Sequence, residues 1–67
     1  MAKLPKHMAR LKASSIACAK HLMLTEGLSI DEAQDRVLKF MDENEDNLIS
    51  KDNELAIAAM EMIFIGE

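Results

Sequence analysis

The chain of 67 residues is 49% hydrophobic and 30% charged, and its net charge is −4. This composition is typical of a globular protein and excludes a disordered chain. A chain this short builds only a small core, so we expect residues 1–67 to form a single domain. Cys18 is the only cysteine, which excludes a disulfide within the chain and favours a reducing cytoplasm.

The charges are segregated along the chain. Residues 1–25 hold five Lys or Arg and no acid, whereas residues 26–67 hold three Lys or Arg and all twelve acids. Such asymmetry can mark a basic arm for nucleic acid or for an acidic partner. The acidic half can also neutralise the basic half, within one molecule or between subunits, and we expect internal neutralisation. No apolar segment is long enough to span a membrane.

Helices are the expected elements, because the chain has only two Gly and one Pro and lacks β-branched or aromatic runs. The first predicted helix covers residues 6–25. Pro5 suits its start, and Gly27 suits a left-handed residue at its end. Apolar residues recur every three or four positions, and Ile16 and Met23 widen this stripe. The opposite side is a basic face made of Lys3, Lys6, Arg10 and Lys20.

The second predicted helix covers residues 30–43. Ser29 and Glu32 form a capping box, in which each side chain accepts a hydrogen bond from a backbone N–H at the helix start. One face of this helix is apolar, with Leu38 at its edge. The apolar positions are Ile30, Ala33, Val37, Phe40 and Met41.

Residues 42–53 resemble the calcium-binding loop of an EF-hand. The resemblance implies a calcium site between an entering and an exiting helix. In this sequence Asn47 stands where the family has Gly, and the closing glutamate follows one residue late as Glu54. The alternative is a solvated acidic loop in which Ser50 or Asp52 caps the next helix. The implied ligands are Asp42, Asn44, Asp46, the Leu48 carbonyl, Ser50 and Asn53.

The third predicted helix, residues 51–65, is apolar on two faces. One face is formed by Leu55, Ala59, Met62 and Ile63, and the nearly opposite face by Ile57, Met60 and Phe64. Two short helices can cover only one side of it, so we expect the second set to stay exposed and to form an interface. The alternative is that the first two helices cover both faces within one chain.

The residues do not predict an enzyme. His7 and His21 lie about 21 Å apart along one helix at 1.5 Å per residue, which is too far to share a metal or a proton. The sequence has no glycine-rich phosphate loop and no serine nucleophile motif. We therefore predict a protein without catalytic activity and without a cofactor, calcium being the one ligand that the loop suggests.

Together these patterns predict an all-α domain of three helices that forms a homodimer through the third helix. The predicted function is that of a small cytoplasmic interaction or regulatory protein, an adaptor that also binds another protein and no membrane. Two alternatives stay open. One is a degenerate single EF-hand protein that uses residues 42–53, and the other is a nucleic-acid-associated modulator that uses the basic face.

Overall fold

The computed structural model describes residues 4–66, which form four helices and, over that range, no strand. The helices are α1 (Lys6–Glu26), α2 (Ile30–Glu43), α3 (Glu45–Leu48) and α4 (Glu54–Phe64). The all-α prediction is confirmed. The count of three helices is wrong, because the predicted loop contains α3. The third predicted helix is α4, and it begins at Glu54 rather than at residue 51.

Local signals determine the turn between α1 and α2. Gly27 has a φ of 66°, the left-handed conformation that favours glycine, and it ends α1. The Ser29 hydroxyl then accepts a hydrogen bond from the Glu32 N–H at 3.2 Å, and the Ser29 N–H donates to the Glu32 carboxylate at 3.4 Å. The predicted capping box is therefore confirmed. This short turn brings α2 back to pack along α1.

Helix α1 is central, because it packs against both α2 and α4. The far ends of α2 and α4 meet through Phe40 and Phe64, whose rings pack edge to face with centroids 5.7 Å apart. Side chains from all four helices enter the core. The buried apolar residues are Leu11, Cys18, Ala19, Leu22, Ala33, Val37, Leu48, Ile57 and Met60.

Asn53 links the start of α4 to two other parts of the chain. It is 1% exposed, and its side-chain amide donates hydrogen bonds to the carbonyls of Leu48 at 2.8 Å and His7 at 3.1 Å. Leu48, the last residue of α3, is itself buried. Because Asn53 immediately precedes α4, these bonds tie the beginning of α4 to the first turn of α1.

Candidate interaction surfaces

The structure reverses the predicted assignment of the two apolar faces of the last helix. Ile57 and Met60 are 0% exposed, and Phe64 is partly buried against Phe40. The residues predicted to form an exposed interface are therefore core residues. The sequence could not distinguish the faces, because both are equally apolar and the choice depends on contacts with α1.

The opposite side of α4 is exposed instead, and we call it the outer face of α4. None of its side chains is polar, although Glu54 lies beside it at the helix start. Leu55 is 86% exposed, and the other members are also exposed. Positions three and four apart share one side of a helix, so these residues form a continuous apolar strip. The outer face consists of Leu55, Ala58, Ala59, Met62 and Ile63.

A second apolar surface is the groove between α1 and α2, which encloses about 560 Å³. Buried Ala19 and Val37 lie at its base, and Ile16 (57% exposed) and Leu38 (59% exposed) form its sides. Sequence analysis did not predict this groove. A usable signal was present, since Ile16 and Met23 extend the apolar stripe of α1 beyond the width that a single neighbouring helix covers.

The predicted calcium loop is partly helical. Asn44 ends α2 and begins α3, and its carbonyl accepts hydrogen bonds from the Asn47 and Leu48 N–H groups. Two of the six predicted ligands bond to each other, because the Leu48 carbonyl accepts from the buried Asn53 amide at 2.8 Å. The remaining oxygen-bearing side chains are exposed or partly exposed, and residues 42–47 line a shallow polar depression of about 220 Å³. The four remaining predicted ligands are Asp42, Asn44, Asp46 and Ser50.

The basic face lies on the exposed side of α1 as far as the structure describes it. Lys6, Arg10 and Lys20 are exposed, and Lys3 lies outside the described residues. Within residues 4–66 the only ion pair joins Arg36 to Glu26, at 3.4 Å. No ion pair within residues 4–66 therefore joins the basic residues of α1 to the acidic half, and the expected internal neutralisation stays a prediction.

Two observations concern the reactive side chains of the described residues. No three His, Cys, Asp or Glu converge there closely enough to hold a metal ion. Cys18 is buried, and burial, followed by the negative charge of Glu61, raises the pKa of its thiol. A buried thiol with a raised pKa is a poor nucleophile.

Comparison with known proteins finds no match, whether among protein-family models, curated proteins or solved structures. Among the described helices, none combines the length and the hydropathy that a membrane span requires. The surfaces of the chain are therefore the basis for a functional proposal.

Proposed function

We propose that this chain is a small non-catalytic interaction protein of the adaptor type that acts as a homodimer. The observation that carries the proposal is the outer face of α4. Contiguous apolar patches of this kind are unusual on soluble monomers and mark interaction surfaces. On this proposal the dimer forms through the last helix, as the sequence predicted, but through the face opposite to the predicted one.

The chemistry of the outer face favours a second copy over an unrelated partner. Homodimer interfaces are more apolar than other protein interfaces, and charged residues are depleted at their centre. A twofold axis brings the same patch of each copy together, so a uniformly apolar face is complementary to itself. The central Ala58 and Ala59 also leave room for two helices to approach closely.

The available apolar area is sufficient for a weak dimer. Full burial of a Leu, Met or Ile side chain contributes about 1.5–3 kcal/mol. Leu55, Met62 and Ile63 from both copies make six such side chains, which together contribute on the order of 10 kcal/mol. Association costs about 4–15 kcal/mol in lost translational and rotational freedom. We therefore expect a dissociation constant on the order of 100 μM.

Sedimentation equilibrium from about 10 μM to about 1 mM protein tests the proposal, since this range brackets a dissociation constant on the order of 100 μM. The wild-type chain should pass from monomer to dimer across it. Met62→Lys should raise the dissociation constant at least tenfold, because it places an unpaired charge in the interface. The matched control is Leu24→Lys, at an exposed apolar position of α1. A wild type that is monomeric throughout, or an equal effect of the control, contradicts the proposal.

The two alternative functions remain predictions. The exposed Lys6 and Arg10 of α1 support contact with a polyanion, which retention on heparin that falls steeply with salt would indicate. The acidic composition of residues 42–47 supports calcium binding. The hydrogen bond between the Asn53 amide and the Leu48 carbonyl opposes it, because it occupies two of the predicted ligands. Amide shifts confined to Asp42–Asn53 in millimolar calcium would indicate a calcium site.

A further inference from the structure

We propose that the groove between α1 and α2 binds an amphipathic helix of a second protein, one that carries acidic residues along one edge and basic residues along the other. The groove is an open channel with an apolar base, which is the form that binds helices through anchors at positions i, i+3 or i+4, and i+7. Ile16 and Met23 line its α1 side, and Ile30 and Leu38 line its α2 side.

The length of the groove fits two to three turns of helix. Its lining residues run from Ser15 to Met23 on α1 and from Ile30 to Met41 on α2. These stretches extend about 12 Å and about 16 Å at 1.5 Å per residue, and one turn rises 5.4 Å. Such a span accommodates three consecutive apolar anchors of one helix.

The two edges of the groove carry opposite charge. On α1, Lys20 lines the groove about 40° from Ile16 on the side away from Ala19, and Lys12 lies one turn before Ile16, at the end of the groove. Both lysines are exposed. Around α2, three exposed acidic residues lie within about 60° of Leu38. None of these charges is in an ion pair within residues 4–66. A partner helix therefore matches the groove when its acidic edge lies over α1 and its basic edge over α2. The three acids are Asp31, Asp35 and Asp42.

The composition of this surface differs from that of the outer face of α4. An apolar centre with a charged rim is typical of interfaces between different proteins, whereas homodimer interfaces are more uniformly apolar. At an interface between two different proteins, charged residues at the rim mainly select the partner and its orientation, and they add less to the affinity.

A second copy of this chain is the less suitable occupant. Ile16 lies about 160° around α1 from Cys18 at 100° per residue, and Cys18 is on the side near Glu61 of α4. The groove and α4 thus lie on opposite sides of α1. Pairing through both surfaces would join molecules from two sides and would not close into a bounded assembly. This step rests on the proposed α4 dimer.

A designed peptide tests the proposal. It has about 18 residues, enough for a helix to form, with Leu at i, i+3 and i+7, Glu along one edge and Lys along the other. Titration followed by amide shifts should locate it at α1 and α2, with a dissociation constant of tens of micromolar. A peptide of the same composition with scrambled Leu positions should not bind. Lys on both edges should weaken binding about tenfold, because one edge then faces Lys12 and Lys20.

Variants separate this proposal from the α4 dimer. Leu38→Glu should weaken peptide binding at least tenfold and leave the monomer–dimer equilibrium unchanged. Met62→Lys should weaken the dimer and leave peptide binding unchanged. Leu24→Glu, outside both surfaces, should change neither. Absence of binding at about 1 mM peptide, shifts confined to α4, or binding insensitive to Leu38→Glu would overturn the proposal. A wild-type assembly larger than a dimer that Leu38→Glu dissociates would assign the groove to a second copy and would also overturn it.

Discussion

The two faces of α4 have the same chemistry and opposite environments. Met60 and Ile57 are fully buried, whereas Met62 and Ile63, on the same helix, are largely exposed. The difference shows that the hydrophobicity of a helix does not determine which side enters the core. Contacts outside the helix do so here, namely the packing of α4 on α1 and the hydrogen bonds that Asn53 makes immediately before α4.

The largest expected effect comes from replacing one methionine on each face. Met60→Ala should lower the free energy of unfolding by about 2–5 kcal/mol, because it opens a cavity in the core. Met62→Ala should change it by no more than about 0.5 kcal/mol, as exposed positions do. Urea denaturation at about 1 μM protein measures both without a contribution from dimerisation. Similar losses for the two variants would mean that the orientation of α4 is different.

A second comparison concerns Asn53 and Asn47, two asparagines that lie between α2 and α4. Asn53→Ala removes one buried and one partly buried hydrogen bond and should cost about 1–3 kcal/mol. Asn47→Ala, at an exposed position, should cost no more than about 0.5 kcal/mol. The same urea titration measures both. If Asn53 acts as a calcium ligand rather than as this link, its replacement will weaken calcium binding and leave stability in calcium-free buffer unchanged.

A smaller effect is expected on the side of α1 near α4. Ser14 is buried, and within residues 4–66 its hydroxyl has no hydrogen-bond partner of good geometry. The neighbouring Cys18 thiol is at best a weak partner. Ser14→Ala should therefore stabilise the fold by up to about 1 kcal/mol, because a buried hydroxyl without a partner is costly. Ser15→Ala, one position away and less buried, is the control in thermal denaturation. A clear loss of stability in Ser14→Ala would indicate a bond that the hydroxyl makes in solution.

The elements set by local sequence could be predicted. Helix α2 begins where the pattern predicts, because the Ser29–Glu32 capping box and the Gly27 turn act within a few residues. Its end at Glu43 also agrees with the prediction. The start of α4 could not be predicted in this way. It depends on α3 and on the bond between Asn53 and the His7 carbonyl, 46 positions away in the sequence.

The surfaces were harder to predict than the helices. The rotation of α4 on α1 is a long-range property, so the apolar pattern left two equal faces and the prediction chose the wrong one. The groove is not evident from the sequence, because Ile16 and Met23 continue the apolar stripe of α1 and resemble core positions. Only the position of α2 places them on an open surface.

The most direct test of the account is an intermolecular nuclear Overhauser experiment on a mixture of isotope-labelled and unlabelled chains. At a concentration where the mass indicates a dimer, the account predicts contacts between copies among the methyl groups of Leu55, Met62 and Ile63. Ile16 and Leu38 should give no such contacts. Contacts between copies at Ile16 and Leu38, with none at Met62, would contradict the claim that the outer face of α4 holds the dimer.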